Sequence, residues 1–364
     1  MAGTHTRDHP VLDHSVRLDA DAVRILDRRV FPHDEAWVEA RTVEQVTAAI
    51  AEVATDGAGS LYAALAGMVL VARQHSAHRP GYLLAALRQA ASRLTAARPT
   101  NNLVRDGVAD LMVDLRELID RGGTSAIVAR VEDSAARLDR RYRERARAVG
   151  WQMAALLDDG ARVLTYGWMD THLMALVRAS GEAGKTFRYV VAETRPYLQG
   201  ARLTAHTLAE MGQPVTLITD GMIATVLGPL STTGRITALL TAADRVCMDG
   251  HVVHTVGVLG AAMAAHAADV PYYVLANAPD RRAPTAADVL MEERDGDEVL
   301  TTLGERTASP LVHAGYYPAF DVVVPQFVHR VVTDQGPLAP KELIGYAEPV
   351  DQSIGRPADR PARA

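Results

Sequence analysis

The chain has one cysteine, Cys247, in 364 residues. A single thiol excludes an internal disulfide and a thiolate cage for zinc or an iron–sulfur cluster. Long apolar runs are also missing. The longest, Leu61 to Ala72, has about 12 residues where a membrane-spanning helix needs about 20. Nor is there an excess of positive charge: 38 basic residues face 44 acidic ones, a net charge of −6. That balance leaves no electrostatic footprint for nucleic acid or an anionic membrane, and neither is expected as a partner. Met1 to His14 is polar and lacks the apolar core of an export signal, so a cytoplasmic protein is expected. His5, His9 and His14 read as part of a frayed polar terminus rather than as metal ligands.

Several cofactor signatures are absent too. No Gly-x-Gly-x-x-Gly follows a strand, and there is no phosphate-binding Gly-x-x-x-x-Gly-Lys-Ser/Thr loop, Gly-x-Ser-x-Gly elbow or His-Glu-x-x-His pair. A nicotinamide dehydrogenase and a nucleotide hydrolase are disfavoured, and no cofactor or metal is expected. What remains is an ordinary globular composition, 48% apolar and 23% charged, with enough length for two domains.

The first 150 residues read as mainly helical. Val43–Val53, Gly59–Arg73, Gly81–Ala97 and Val104–Arg121 carry apolar residues at three- and four-residue spacing. Ser125–Val149 is a long helix dense in Arg and Glu with a narrow apolar stripe. Ser15–Ala40 has short extended stretches and reads as a small meander. After Gly150, β-rich runs recur at Arg162–Tyr166, Phe187–Ala192, Val215–Thr219, Arg245–Met248, Tyr272–Ala276 and Asp321–Val324, mostly with Ala-rich helical stretches between them. This alternation predicts βαβ units and an α/β, Rossmann-like, mostly parallel sheet. The expected division is a flexible 1–14, a smaller helical domain over 15–150, a Rossmann-like domain over 151–350 and a loose tail over 351–364.

In such sheets ligands bind beyond the carboxyl ends of the strands. The richest chemistry there is Glu193-Thr194-Arg195-Pro196-Tyr197-Leu198-Gln199-Gly200-Ala201-Arg202. Guanidiniums and an amide at a helix start suit an anion; the same residues equally suit a network that ties down a crossover loop. Asp244, in Ala242-Ala243-Asp244-Arg245, is a candidate general acid or base if burial raises its pKa, or else a plain loop carboxylate.

The segment Glu193–Leu203 resembles the methylthioribose-1-phosphate isomerase family, which shares its fold with the alpha, beta and delta subunits of initiation factor 2B and with ribose-1,5-bisphosphate isomerases. Leu26-Asp27-Arg28-Arg29-Val30-Phe31-Pro32, Ala97-Arg98-Pro99-Thr100, Asp220-Gly221-Met222, Ala243-Asp244-Arg245-Val246, Asp249-Gly250, Glu292-Glu293-Arg294 and Pro318-Ala319-Phe320-Asp321-Val322 match in the same order. The resemblance spans about residues 15–345. It implies a site between a helical and a Rossmann-like domain, a homodimer, and conversion of a closed-ring aldose 1-phosphate to an open-chain ketose 1-phosphate. The family's acid/base aspartate falls on Asp244. Two phosphate contacts fall on Gln199 and Arg98.

Other family positions differ here. The catalytic cysteine falls on Gly167, within Thr165-Tyr166-Gly167-Trp168-Met169-Asp170. The Arg-Gly-Ala-Pro loop, a phosphate contact, is Asp56-Gly57-Ala58-Gly59, which puts an anion in place of a cation. An Asn-Lys pair becomes His254-Thr255, and Leu275-Ala276-Asn277-Ala278 lacks the usual Ala-Pro and Ser/Thr character. Gly57, Ala58, Trp168, Asp170 and His254 are therefore candidate lining residues of a reshaped pocket. Trp168 reads equally as packing between the domains, and His254 either as a base or as a hydrogen-bonded histidine at a helix start. Cys247 reads as a buried small hydrophobe rather than a displaced catalytic thiol. The expected function is a divergent isomerase-like enzyme acting on a ribose-1-phosphate-like or related small polar metabolite; the alternative is a non-catalytic metabolite-binding protein of the initiation-factor type.

Overall fold

The computed structural model describes residues 10–347. His5, His9 and the tail expected over 351–364 lie outside the described residues. Within the segment expected to be loose, Val11–His14 forms a 3-10 turn with Leu12 and Asp13 buried. Asp13 is held there by ion pairs to Arg143 and Arg178.

The expected meander is present. β1 (Val16–Leu18), β2 (Val23–Leu26) and β3 (Trp37–Ala40) pair antiparallel in sequence order. Four helices follow: α1 (Val43–Ala51), α2 (Ala58–Gln74), α3 (Pro80–Ala97) and α4 (Asn102–Met112). Thr42 starts α1 by a reciprocal cap with Gln45. Nearly every residue of α2 from Ala58 to Ala72 is buried, because α1, α3, α4 and α5 (Leu118–Leu156) all pack against it. The longest apolar run is thus the central helix of a bundle, which is where an all-round apolar helix belongs. Among the described residues no helix is long and apolar enough to cross a membrane.

Val104–Arg121 is not one helix. The chain breaks after α4 at Asp114, whose φ of 62° is left-handed, and turns into α5. Beyond a non-helical Gly123, α5 continues to Leu156. Its narrow apolar stripe serves two cores in succession: Val131 and Leu138 join the bundle, while Val149 and Met153 join the core under the sheet.

The large sheet is built from β4 (Arg162–Thr165), β5 (Arg188–Ala192), β6 (Val215–Ile218), β7 (Ala238–Ala242), β10 (Tyr272–Leu275), β14 (Arg330–Thr333) and β15 (Gly336–Leu338). Their order is β15-β14-β10-β7-β4-β5-β6, parallel except for β15. α6 (Asp170–Glu182), α7 (Ala205–Glu210), α8 (Ile223–Leu227) and α9 (Val258–Ala267) intervene. A side sheet places β9 (Val252–Thr255) between β8 (Arg245–Val246) and β13 (Phe320–Val323), all antiparallel. The short α10 (Asp297–Leu300) leads into a β11 (Thr301–Thr302)–β12 (Glu305–Arg306) hairpin.

Two expected strands change place. The strand expected at Arg245–Met248 lies in the side sheet as β8, as does the one expected at Asp321–Val324. The central strand is β7, Ala-Leu-Leu-Thr-Ala, buried at every position. A strand buried on both faces shows no alternation, so its pattern does not stand out. The shift matters, because it puts Asp244 just past the carboxyl end of a central strand. From β4 the chain winds one way through β5 and β6, and the other way through β7, β10 and β14. β4 and β7 therefore flank a topological switch point, where open α/β sheets bind ligands.

Candidate functional site

Asp244 follows β7, and its main-chain N–H donates to Val253 O at 3.0 Å. This bond, with the β8–β9 pairing, brings His254 beside it: His254 Nδ1 lies 2.9 Å from Asp244 Oδ2. A carboxylate has no hydrogen to give, so Nδ1 carries the proton and Nε2 keeps its lone pair in the neutral ring. His254 is 4% exposed, and Nε2 has no hydrogen-bond partner among the described residues. The residue lies on β9, so the helix-start position expected for it is corrected.

Gly167 faces that nitrogen. Its φ is 75°, and a Cβ built on it would stand 2.8 Å from His254 Nε2. Glycine is required there by both backbone and space. Thr194 Oγ1 accepts the Gly167 N–H at 3.0 Å and Thr204 Oγ1 donates to its carbonyl at 2.6 Å, so the position is fixed from both sides. Gln199 Nε2 donates to Thr255 Oγ1 at 3.2 Å, while its buried Oε1 is unpartnered among the described residues. The indole Nε1 of buried Trp168 is likewise unpartnered among them. Trp168 packs in the core under the sheet with Leu12, Leu26 and Phe31.

A second cluster joins the bundle to the sheet. Arg28, fully buried, donates to Ser15 Oγ at 3.1 Å and Asp56 O at 2.9 Å, and lies 3.4 Å from Asp170 Oδ2. Its guanidinium also stands 6.0 Å from the centre of the Trp168 ring. Asp170 opens α6 with a left-handed φ of 47°. Gly57 precedes α2 at φ 58°, ψ −131°, and a Cβ there would come 3.1 Å from Asp170 Oδ2. Ala58, the first residue of α2, is buried. Arg98 pairs with Asp56 at 3.4 Å and with Glu292 at 3.2 Å. Burial works against its charge, but Asp56, Glu292 and Asp244 outweigh it and hold the guanidinium above its ordinary range. Asp170 and Arg98 are thus already engaged by opposite charges within the protein.

In the Glu193–Arg202 segment both guanidiniums are engaged within the protein. Arg195 donates to the carbonyls of Val299 and Thr301, and Arg202 to those of Arg28, Arg29, Phe31 and Tyr197. Asp220 accepts from the N–H groups of Thr194 and Arg195. Burial and the Asp220 charge push the Glu193 carboxyl up. Cys247 is fully buried, and burial, helped by Asp249, pushes its thiol up to about 12. It is no thiolate at neutral pH.

Sequence reasoning missed the Arg28 anchor, although its motif was visible, and the partnership of Glu292 with Arg98. It also missed a cleft of about 350 Å³ between α4, α5 and the ends of β7 and β10. Asp244, Arg245, Tyr142, His172 and Asn277 line it; His254, Gln199 and Trp168 are not on its wall. Asp244 therefore stands between the open cleft and the buried imidazole of His254. His172 Nε2 lies 3.0 Å from Asn277 Oδ1, and burial lowers its pKa. No cluster of three or more His, Cys, Asp or Glu able to hold a metal occurs among the described residues.

Residues 54–340 match the model of the initiation factor 2 subunit family. The methylthioribose-1-phosphate isomerase of Anaeromyxobacter dehalogenans is 36% identical over 347 residues, which cover 93% of this chain and 96% of that protein. Among solved structures, 5-methylthioribose 1-phosphate isomerase from Pyrococcus horikoshii OT3 superposes with a TM-score of 0.77 at 25% identity, over 91% of this chain and 93% of that one. The delta subunit of translation initiation factor eIF-2B from A. fulgidus gives a TM-score of 0.75 at 30% identity, over 90% and 96%. With both whole-chain similarity and the family model in agreement, the chain belongs to the initiation factor 2 subunit family, alongside proteins named methylthioribose-1-phosphate isomerase.

Proposed function

We propose that this chain is an isomerase-type enzyme that rearranges a ribose-1-phosphate-like or related small polar metabolite by acid/base chemistry. The observation that carries the reading is the Asp244–His254 hydrogen bond at the β4/β7 switch point, with His254 Nε2 buried and unpartnered among the described residues. Aldose-to-ketose conversion moves a hydrogen from C2 to C1. One group must take the C2 proton and one must return a proton to C1. Asp244, reaching both the cleft and the imidazole, is the acid/base group; His254 holds or passes the proton at Nε2. Trp168, Gln199 and Gly57–Ala58 would line the substrate. A homodimer is part of this proposal and is checked by light scattering.

The test follows hydrogen incorporation at C1 and C2 by NMR in D2O. The full chain is given ribose and 5-methylthioribose, each free and as the 1-phosphate. Turnover that falls at least about a hundredfold in Asp244→Asn supports the reading; equal turnover in that variant overturns it. A second reading, a non-catalytic metabolite-binding protein, is favoured by one observation: Gly167, where the isomerases' cysteine would fall, has no side chain. It requires sugar binding without turnover and without sensitivity to Asp244→Asn.

A further inference from the structure

Asp244 shares its cleft with a second titratable side chain that the acid/base reading leaves unused. His172 stands in the first turn of α6 and lines the cleft of about 350 Å³ together with Asp244 and Asn277. Three neighbouring strands deliver these residues. Asn277 follows β10, Asp244 follows β7, and β4 leads into α6, which carries His172. The cleft falls in the size range of small-molecule sites, and all three residues border the same space.

His172 Nε2 lies 3.0 Å from Asn277 Oδ1. An amide oxygen only accepts, so Nε2 carries the proton and Nδ1 keeps its lone pair in the neutral ring. Nδ1 has no hydrogen-bond partner among the described residues and is open to solvent, unlike the sealed Nε2 of His254. Asn277 is itself fixed, because Arg145 Nη2 donates to its main-chain carbonyl at 3.0 Å while Arg145 Nε pairs with Asp334 at 2.6 Å. A base oriented by a third group is the arrangement that proton transfer needs. Arg145 and Tyr142 from α5, Asp170 from its own helix and Asn277 face the ring. Burial, with a smaller push from Arg145, lowers the pKa of His172 against the pull of Asn277 and Asp170. The imidazole is therefore uncharged at neutral pH, with its lone pair available.

We propose that His172, oriented by Asn277, is a further proton-transfer group of the site and acts on the substrate's C2 oxygen. The proposal rests on the isomerase reading of Asp244 and adds a residue to it. Asp244 takes the C2 proton as the bond from C1 to the ring oxygen breaks, and the ring oxygen takes a proton from solvent water. C1 and C2 are then joined by the double bond of an enol. C1 next takes the proton that Asp244 holds, which turns the C2 hydroxyl into the strongly acidic O–H of a protonated carbonyl. A weak neutral base suffices to remove that proton, and His172 Nδ1 is the base. The C2 carbonyl forms, and His172 returns its proton to the hydroxide left by the first step. The ketose is an isomer of the aldose, with no net oxidation or reduction. The same steps serve with a hydroxyl or a phosphate on C1.

Hydrogen incorporation followed by NMR in D2O separates the two roles, using the full chain with ribose and 5-methylthioribose, each free and as the 1-phosphate. In His172→Gln, ketose formation falls about a hundredfold while deuterium still enters C2 of the recovered aldose through Asp244. Asp244→Asn loses both. An equal fall of both rates in His172→Gln is what a purely structural role gives, and it overturns the proposal. Ketose formation at the wild-type rate in that variant overturns it too. Should His172→Gln fail to fold, nitrogen-15 NMR of the imidazole carries the test. The wild type at pH 7 shows a single Nε2–H tautomer, and its Nδ1 resonance moves when a sugar that the chain converts is added. In Asn277→Leu both tautomers appear, and ketose formation falls about tenfold for one lost hydrogen bond. An Nδ1–H tautomer in the wild type, or an Nδ1 resonance unmoved by a converted sugar, removes this proposal alone. Conversion that is unchanged in Asp244→Asn but falls in His172→Gln removes the Asp244 reading alone.

Discussion

Asp244 and His254 meet at 2.9 Å through Oδ2 and Nδ1, and the far nitrogen of the imidazole looks onto the bare Cα of Gly167. The carboxylate sets the tautomer, and the glycine leaves Nε2 uncovered. If the two residues act as one unit, Asp244→Asn and His254→Gln each lower kcat by about 10²–10⁴. The double variant falls little further than either single one. Steady-state kinetics with whichever sugar the chain turns over checks this. Additive losses would mean that the two residues act independently.

Gly167→Ala meets two obstacles: a left-handed backbone and a contact of 2.8 Å to His254 Nε2. The expected loss is about 1–3 kcal/mol in urea unfolding. Adding His254→Ala removes the contact but not the backbone strain, so the double variant recovers only part of the loss. Gly167→Cys meets the same obstacles. Placing a thiol at this position destabilises the chain, and changing His254 as well recovers only part of the loss.

The helices of the bundle were legible because their apolar spacing is regular, and α2 stood out as the longest apolar run. β7 was hidden because a short strand with alanine at both ends and both faces buried has no alternation to detect. That error displaced the neighbouring strand but not Asp244, which was found from its motif. The sequence leaves His254 as either a base or a helix-start histidine, since nothing local shows that Arg245–Val246 folds back on Val252–Val253 to deliver it to Asp244. The neutralisation of Arg98 was equally invisible. Asp56 was noticed as a lost cation, but its pairing with Arg98 and the approach of Glu292 are long-range contacts. Charge identity was readable from the sequence, and charge partnership was not.

Arg28 and Asp170 give a stability test that leaves Asp244 untouched. Arg28 is fully buried, and the Asp170 side chain is nearly so. Removing one partner of a buried pair strands the other charge, so Asp170→Ala should cost about 3–5 kcal/mol. Replacing both, as Arg28→Met with Asp170→Ala, should cost less than the sum of the single changes. Urea midpoints for the four proteins give the coupling. A coupling near zero would mean that Asp56 O and Ser15 Oγ hold Arg28 without Asp170.

His172 makes stability depend on pH in a predictable direction. Burial lowers its pKa in the folded chain, and the hydrogen bond to Asn277 offsets this only in part. In the unfolded chain the ring titrates near its ordinary value, about 6.5. Below that pH the unfolded state binds more protons than the folded one, so unfolding is favoured as pH falls. The contribution is fully present above about pH 6.5 and is lost progressively below it, at no more than about 1.4 kcal/mol per pH unit for one proton. His172→Asn removes the titrating group, so its urea midpoint should decline less steeply than the wild type's from pH 7 to pH 5. Parallel declines over that range would show that the protonation of His172 does not differ between the folded and unfolded chains.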